Sequence, residues 1–566
     1  MAPHVDMRHW VPYSEVAGTA RLTLAEFRAN LMKFPRSGVL IAIGRMSTIF
    51  DFGPEANTVA SDEAIARWVP ELFPPPLVTR VLALANQGRV VFFQGQLRYL
   101  AAEVMRLPKA DTEDDTYFPD VLLGPLLLCA AEMLYTPQLS VADDLDKMAS
   151  LVAMFLPVYE IDSLVEPFML FTRFYIFLTI CIPRLPLHLR TFDPFVEFEK
   201  AFGFPLKRYY LFVFAVMMHG NMQRNKEMRG GALGDTLARA WFKHTNLTNA
   251  QLDQLFDAVS FTLARLPDTK KPIGFADFEF LRDNPCFRHN GELYCLDYEF
   301  AVAKLESGVI WRVRSALPDK KRHAYFSFWG NAFEEYVEWL FEQYANKDQN
   351  VFHRSPQLDG TPLCDAIVVC GTTAVLIEAK LGTCAASVRY SGDYMKMRAF
   401  LEGHLVAGTD RNVGVQQLVR AINKIAEAKK EDLPACLQGV KKIIPLIITR
   451  DDIGSSWMTN GYLNARFQEH RRHKAWKRFT VPPLVSMSIA TLERGLSWLR
   501  KVSLSDILEQ RIRDDRGMSK PFEAASSYIS RGTRHTRKHL DVLDVLTEEM
   551  AKEFEMENVM NEPSAI

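Results

Sequence analysis

The sequence predicts a multidomain protein of the α + α/β class. Up to about residue 265, apolar residues recur at helical spacing, which predicts a large, mostly α-helical N-terminal region. From about residue 323 the pattern becomes helix, strand, strand, helix, strand, which predicts an α/β domain with a central mixed sheet. The predicted parts are the helical region (1–265), a connector containing a β-hairpin (266–322), the α/β domain (323–502) and a helical, charge-rich C-terminal tail (503–566).

The composition is that of an ordinary globular protein. The 566 residues are 48% hydrophobic and 24% charged, and the formal net charge is −1. A nucleic-acid partner therefore cannot be inferred from overall charge, and any basic surface must be local. The eight cysteines form no CxxC pair, and no signal-peptide pattern is present. These features predict a reducing, cytoplasmic location.

The N-terminal region shows helical periodicity without a group of residues that would carry chemistry. The predicted helices fall at 22–33, 63–73, 78–86, 118–135, 145–157, 165–182, 195–217 and 234–264. His188, Arg190 and His219 are interpreted as structural or surface residues. We expect this region to serve recognition, sensing or oligomerisation, with a protein partner, an activator or a homo-oligomer all left open.

The apolar stretch 165–183 has two possible interpretations, a membrane segment and a buried helix. Arg173 lies in its middle, and the uncharged run from Phe174 to Ile182 is far shorter than the roughly 20 residues that a membrane-spanning helix needs. A charge at mid-span is also costly. The sequence therefore predicts a buried helix and no membrane association.

The connector contains a clear hairpin signal. Asn290-Gly291 separates two short β-rich segments, as in a two-residue turn. Cys286, His289 and Cys295 are zinc-ligand types, but their spacing is irregular and a fourth ligand is missing. The segment is predicted to be a plain β-hairpin.

The residues that point to chemistry lie in 362–382. Two apolar, β-rich runs flank Gly371-Thr372, a loop that suits a type II′ turn. That turn would pair Cys370 with Thr373 and place Asp365 directly opposite Glu378. Lys380 lies two residues beyond Glu378 and so shares its face. A loop longer by one residue would shift this register.

Two carboxylates and a lysine within otherwise apolar strands indicate a site. Buried charges are costly unless they are paired or bind a metal. Paired carboxylates suit a hard divalent cation, which makes bound water more acidic and neutralises charge on a phosphate under attack. A neighbouring lysine would orient or deprotonate that water. The alternative interpretation is an edge strand with a solvated charged face.

Pro362-x-x-Asp365 followed by Glu378-Ala379-Lys380 resembles the signature of the PD-(D/E)XK nucleases, which have the restriction-endonuclease-like fold. Here the proline stands three residues before the aspartate instead of next to it. The resemblance covers roughly 325–500. It implies that Mg²⁺ or Mn²⁺ is held by Asp365, Glu378 and the carbonyl of Ala379, with Lys380 positioning the water and a 5′-phosphate as product.

Two flanking helices extend the resemblance. In 330–344, Glu334 borders the apolar stripe and is the candidate to support the metal, whereas Glu335 points away from the stripe and Glu338 lies further out. In 414–430, the family often carries a glutamine that points to the site. Gln417 is preferred for orienting the lysine or the phosphate, and Gln416 remains an alternative.

The substrate is inferred less directly. Basic clusters at 312–323, 466–478 and 531–538 are candidate contacts for phosphates. Phe467 and Trp476 are candidates for stacking on bases. Further possible contacts are Tyr390, Tyr394, Lys396 and Arg398, although a surface role is the simpler interpretation for each.

The resemblance implies a Mg²⁺- or Mn²⁺-dependent deoxyribonuclease, because most of the superfamily acts on DNA. Its architecture is compatible with bacterial defence against phage or foreign DNA. DNA repair or processing is the alternative within the same class of enzyme. A nuclease fold that binds DNA or protein without cleavage is the alternative outside that class.

Overall fold

The structure is a computed structural model of the whole chain. It describes residues 10–49, 60–108, 116–134, 144–159, 167–228, 237–243, 245–266, 278–382, 384–408, 413–471, 476, 478–514 and 537–555. Within these ranges the chain is mostly helical and carries a mixed sheet, which confirms the predicted α + α/β class.

The first group of helices packs into a hydrophobic core that also includes connector residues such as Phe287 and Phe300. It consists of α1 (Tyr13–Ala17), α2 (Leu24–Leu31), α3 (Arg36–Met46), α4 (Asp62–Leu72), α5 (Pro75–Ala85), α6 (Gln94–Arg106) and α7 (Leu123–Leu134). Thr23 and Ser61 cap the amino ends of α2 and α4, as their residue types favour. The helices predicted at 22–33, 63–73, 78–86 and 118–135 are confirmed. Helices α3 and α6 were not predicted, because both are buried almost throughout and so lack a polar face.

A second group of helices follows. It consists of α8 (Asp144–Tyr159), α9 (Pro167–Ile176), a π-helical turn (Phe177–Cys181), α10 (Ile182–Arg184), α11 (Pro194–Phe202), α12 (Leu206–Met228) and α13 (Asn249–Val259). The predicted helix at 165–182 is confirmed as a buried element. The one predicted at 234–264 is too long, since only α13 and a short 3₁₀ turn at Arg239–Phe242 are present.

No single described helix is long and apolar enough to cross a membrane. Helices Pro194–Phe202 and Leu206–Glu227 pass that test only as a pair, with a bend of 81° between them.

The connector holds β1 (Ser260–Phe261), α14 (Glu279–Asp283), β2 (Cys286–His289), β3 (Glu292–Cys295), α15 (Tyr298–Ala303) and α16 (Glu306–Ala316). The hairpin β2–β3 is confirmed. Asn290 and Gly291 have φ of 49° and 81°, as a type I′ turn requires. Cys286 and Cys295 are cross-strand partners in this hairpin.

The remaining elements form the α/β part. They are α17 (Asp319–Tyr344), β4 (Val351–Arg354), β5 (Gln357–Leu358), β6 (Thr361–Pro362), β7 (Ala366–Cys370), β8 (Thr373–Lys380), α18 (Ala386–Arg389), α19 (Tyr394–Leu401), a π-helical turn (Glu402–Val406), α20 (Gly414–Glu427), β9 (Lys442–Thr449), α21 (Trp457–Arg471), β10 (Val485–Ser488), α22 (Ile489–Leu499), α23 (Leu504–Asp514) and α24 (Arg537–Glu553). The helix, strand, strand, helix and strand that the sequence predicts from about residue 323 are present as α17, β7, β8, α20 and β9.

A five-stranded mixed sheet lies at the centre of this part, with strand order β10-β9-β8-β7-β4. Strands β8, β9 and β10 are parallel, whereas β7 is antiparallel to both of its neighbours. One face of β8, with Val375 and Ile377, belongs to the same core as α17. The other face, with Leu376, belongs to the same core as α20. The sheet is therefore covered by helices on both faces.

Helices from the N-terminal half complete both layers. Val152 of α8 shares a core with α20, and Phe174 of α9 stacks on Trp329 of α17 with ring centroids 6.2 Å apart. Much of the helical region beyond residue 144 therefore packs directly on the α/β part.

Candidate active site

The β7–β8 hairpin has the register that its turn predicts. Cys370 pairs with Thr373, and the register continues to Ala366 opposite Ile377. Gly371 has a φ of 60°, and Thr372 is not among the non-glycine residues with positive φ, as expected for a type II′ turn. One further step in this register places Asp365 opposite Glu378.

Three charged groups converge at the open end of this hairpin. Nζ of Lys380 lies 2.6 Å from Oε2 of Glu378 and 3.4 Å from Oδ2 of Asp365. The backbone amide of Ala379 donates a hydrogen bond of 2.8 Å to the same Oδ2 of Asp365. The structure therefore brings together the three residues that the motif singled out.

This cluster is buried on one side and open on the other. The side chain of Glu378 is fully buried, whereas those of Asp365 and Lys380 retain 20% and 17% of their exposure. Oε1 of Glu378 is buried and forms no hydrogen bond with any residue that the structure describes. Such an oxygen carries a substantial desolvation cost unless a cation or a donor reaches it.

Burial dominates the protonation behaviour of the cluster. It raises the pKa of Glu378 well above its ordinary value, and the positive charge of Lys380 offsets only part of that effect. Burial lowers the pKa of Lys380, but the negative charges of Glu378 and Asp365 outweigh it, so this pKa is raised. Lys380 is therefore a protonated hydrogen-bond donor at neutral pH.

Glu334 lies beside this cluster on α17, where it is half-buried. Burial and the negative charge of Asp365 raise the pKa of Glu334 to about 7. Glu335 is buried and forms an ion pair with Arg354, and Glu338 accepts a hydrogen bond of 2.8 Å from the same guanidinium. Glu334 interacts electrostatically with both Asp365 and Lys380. The expectation that Glu335 points away from the buried part of the helix was wrong, because its side chain is only 4% exposed.

The two strand carboxylates fit a hard divalent cation. In the part of the chain that the structure describes, no group of three or more His, Cys, Asp or Glu is placed to hold a metal. Mg²⁺ is commonly held through one or two carboxylates and keeps several waters. Glu378 offers an unpartnered oxygen for this purpose. Because N–H and C=O of one strand residue point to the same side, the carbonyl of Ala379 also faces the side of Asp365.

The two candidate glutamines lie in the first turn of α20. Oε1 of Gln417 accepts a hydrogen bond of 2.9 Å from the backbone amide of Gly414, so it caps the amino end of its own helix. Gln416 is half-buried as well. The choice between them stays a prediction, and the cap is a role for Gln417 that its residue type alone did not indicate.

Three of the aromatic side chains proposed to contact nucleic acid are buried instead. Phe467 is fully buried, and Trp476 is 9% exposed and donates a hydrogen bond to Asn423. Tyr390 is 2% exposed and accepts a hydrogen bond from Arg282. These predictions were wrong. The sequence around each residue does not indicate whether its aromatic ring packs into the core or faces solvent.

The remaining candidate contacts for nucleic acid differ in exposure and in ion pairing. Lys396 is exposed, Tyr394 is half-buried, and Arg398 forms an ion pair with Asp146. In the cluster 312–323, Arg312 donates to a backbone carbonyl of Ala258. Most of the cluster 531–538 lies outside the described residues.

Two arginines near the site were missed by sequence reasoning. Arg354 ends β4, and the backbone amide of Arg450, directly after β9, donates a hydrogen bond of 3.1 Å to the carbonyl oxygen of Lys380. A basic residue immediately after an apolar strand next to the motif strand is the signal that would have indicated Arg450.

Comparison of the chain with models of known protein families, with curated proteins and with solved structures found no match. The chemistry of the site must therefore be argued from its own residues.

Proposed function

We propose that this protein is a metal-dependent nuclease that hydrolyses phosphodiester bonds, with DNA as its substrate. The observation that carries the proposal is the cluster of Asp365, Glu378 and Lys380, in which a buried oxygen of Glu378 has no hydrogen-bond partner among the described residues. A cation-assisted attack on a phosphate needs ligands for the cation and a group that positions the water. The two carboxylates and the lysine supply these groups.

The surrounding architecture supports the PD-(D/E)XK resemblance. The cluster lies on an antiparallel hairpin within a mixed sheet, with α17 on one face and α20 on the other. The first helix supplies Glu334, and the helix after the motif strand supplies Gln416 and Gln417. The restriction-endonuclease-like fold is part of this proposal.

Asp365, Glu378 and the carbonyl of Ala379 would hold Mg²⁺ or Mn²⁺. When bound, the cation makes a coordinated water more acidic and neutralises charge on the phosphate. Glu334, which lies beside the two strand carboxylates, would support the cation and accept the proton that the attacking water loses.

Lys380 acts as a charged donor and not as a base, because it is protonated at neutral pH. It orients the attacking water and stabilises the developing negative charge on the phosphate oxygens. The new bond from water to phosphorus forms as the bond from phosphorus to the 3′ oxygen breaks. The products are a 5′-phosphate and a 3′ oxygen that takes a proton from solvent.

The site reaches solvent through two of its three side chains. The exposed portions of Asp365 and Lys380 are its solvent side, and Glu378 lies beneath them. A phosphate that enters from this side meets the lysine and the cation before it meets the buried glutamate.

The test is cleavage of linear duplex, circular and single-stranded DNA, with an RNA of the same sequence, in Mg²⁺ or Mn²⁺. The wild type is compared with Asp365→Asn and Lys380→Met, and the control variants are Asp348→Asn and Lys347→Met, which change exposed residues a few positions after α17. We expect the first pair to lose cleavage and the second pair to retain it. Metal-dependent cleavage that survives both site substitutions would refute the proposal, and preferential cleavage of RNA would correct the substrate.

A further inference from the structure

Arg173, the charge in the middle of an otherwise apolar helix, lies in a buried ion network. Its guanidinium forms two hydrogen bonds with the carboxylate of Glu493, Nε to Oε1 at 2.8 Å and Nη2 to Oε2 at 2.7 Å. Its third nitrogen, Nη1, lies 3.2 Å from Oε2 of Glu306. All three residues are between 1% and 3% exposed, so none of these charges is solvated.

One branch of this network ends on the helix that carries Glu334. The hydroxyl of Tyr336 donates a hydrogen bond of 2.7 Å to Oε1 of Glu493. Tyr336 is two residues after Glu334 on α17, and it is fully buried. The position of α17 is therefore tied to Glu493, and through it to Arg173.

The other branch ends on the strand that carries Lys380. Oε1 of Glu306 lies 3.5 Å from Nη1 of Arg450. The backbone amide of Arg450 donates to the carbonyl oxygen of Lys380 at 3.1 Å. Glu306 is thus the link between Arg173 and the end of the motif strand.

The same branch fastens the segment that leaves the site. Nη2 of Arg450 lies 3.1 Å from Oδ1 of Asp451, and Oδ2 of Asp451 accepts a hydrogen bond of 3.0 Å from the backbone amide of Cys384. Arg389, which is 1% exposed, donates a hydrogen bond of 2.7 Å to Asp452. These bonds therefore fasten Lys380, Cys384 and Arg389 to the segment that follows β9.

A network of this kind is not explained by stability alone. Removing charges from water costs several kcal/mol per ion, and apolar side chains of similar volume often stabilise a fold as well or better. What charged side chains add is directionality, because bidentate and short ion pairs fix the relative position of the elements that carry them. Both ends of this network lie next to residues of the candidate site.

We propose that Arg173, Glu306 and Arg450 are positioning residues for the nuclease reaction, which fix α17 and the end of β8 relative to each other. This inference rests on the proposed function. It makes the helix at 167–176 and the connector helix α16 parts of the catalytic unit, although both lie outside the segment that resembles a nuclease.

None of the three residues is placed to touch the substrate, so the expected effect is on geometry. Misplacement of reacting groups by about 1 Å costs roughly a hundredfold in rate. Loosening one link of the network should therefore lower kcat more than it changes KM for DNA. It should also weaken the response to Mn²⁺, since Glu334 and the two strand carboxylates would no longer be held in register.

The experiment uses the full-length protein with Glu306→Gln and Tyr336→Phe, which remove one charge and one hydroxyl without changing side-chain size. Arg173→Met is less suitable, because two buried carboxylates would lose their partner and folding is at risk. Tyr210→Phe is the matched control. Tyr210 is also buried, and its hydroxyl donates a hydrogen bond of 2.9 Å to the backbone of Phe171, outside the network.

We expect Glu306→Gln and Tyr336→Phe to lower kcat about tenfold or more with KM within about twofold, while Tyr210→Phe remains near wild type. Hydrogen exchange supplies a readout that does not depend on activity. The amides of Cys384 and Arg450 should exchange faster in Glu306→Gln than in Tyr210→Phe, because their acceptors are held by the network.

The outcomes separate the two proposals. If the wild type cleaves DNA and the network variants match Tyr210→Phe in kcat and in exchange, the positioning role is refuted and the nuclease function stands. If the wild type cleaves neither DNA nor RNA with Mg²⁺ or Mn²⁺, the proposed function fails, and the catalytic meaning of the network fails with it. Lower kcat in both network variants, combined with faster exchange in Glu306→Gln, supports the inference.

Discussion

Nζ of Lys380 lies 2.6 Å from Oε2 of Glu378, while Oε1 of the same carboxylate is buried and has no hydrogen-bond partner within the described part of the chain. The lysine therefore neutralises only part of the charge that burial places here, and Asp365 adds a second carboxylate at 3.4 Å from the lysine. The cluster carries a net negative charge when both carboxylates are ionised. This imbalance makes the stability of the metal-free protein sensitive to each of the three residues.

Glu378→Gln should stabilise the metal-free protein while abolishing cleavage. The folded-state pKa of Glu378 lies above its unfolded value, so ionisation costs folding free energy as the pH rises. Glutamine resembles the protonated form and avoids that cost, and Lys380 keeps Asp365 as its ionic partner at 3.4 Å. We expect a gain on the order of 1 kcal/mol at pH 8 and a smaller gain at pH 5, measured by urea unfolding without metal. Equal effects at the two pH values would contradict the assignment of the cost to ionisation.

Lys380→Met should have the opposite effect on stability. It leaves Glu378 and Asp365 without their cation, and loss of one partner of a buried pair costs about 3–5 kcal/mol. The loss should be larger at pH 8 than at pH 5, and saturating Mg²⁺ should recover part of it. Lys347→Met, at an exposed position, serves as the control and should change stability by less than about 0.5 kcal/mol.

The sequence was sufficient to predict the parts of the site that depend on local geometry. The two-residue turn at Gly371 determines the pairing of β7 with β8, and the period of a strand then places Asp365, Glu378 and Lys380 together. The apolar stripe of α17 likewise indicated Glu334. These relations involve residues close in sequence, so turn geometry and periodicity indicate them. The same periodicity did not indicate that Glu335 is buried.

Contacts between distant segments were not predictable in this way. Arg173 was recognised as an unusual charge, but its partners Glu306 and Glu493 are more than 100 residues away in the chain. Phe467 and Trp476 could not be distinguished from exposed aromatic residues without knowing which helix faces they pack against. Only the tertiary structure supplies these pairings.

The hairpin turn offers a stability test with a matched control. Gly371 has a φ of 60°, whereas Gly330 lies within α17, and an added methyl group would meet nothing within 4 Å at either position. Gly371→Ala should therefore destabilise by about 1–2 kcal/mol through backbone strain alone. Gly330→Ala should stabilise by roughly 0.5–1 kcal/mol, since it removes a flexible residue from a helix. Denaturant midpoints measure both changes, and equal signs would show that the turn is not the one described.

Gln417→Glu separates the capping role of Gln417 from a role in the reaction. A carboxylate can still accept the hydrogen bond from Gly414, and a negative charge is favourable at a helix amino end, so stability should be retained. The amide N–H groups that would contact a phosphate are lost, and we expect kcat to fall about tenfold. The parallel variant Gln416→Glu should have the smaller effect on kcat. The reverse order would assign the role to Gln416, and an unchanged rate in both would limit these residues to the structure of α20.

Metal binding should release protons near neutral pH. Burial and the charge of Asp365 raise the pKa of Glu334 to about 7, so in metal-free protein this carboxyl is largely protonated at pH 6 and largely ionised at pH 8. A raised carboxyl pKa also means that the contribution of Glu334 to stability falls as pH rises from about 4.5 towards 8. A cation favours the ionised carboxylates, so the affinity for Mn²⁺ should increase between pH 6 and pH 8.

Calorimetric titrations at pH 6.5 in two buffers of different ionisation enthalpy would measure the released protons. Glu334→Gln should reduce that release, whereas Glu342→Gln, an exposed position on the same helix, should leave it unchanged. Release that is the same in both variants would mean that Glu334 keeps its proton state when the metal binds.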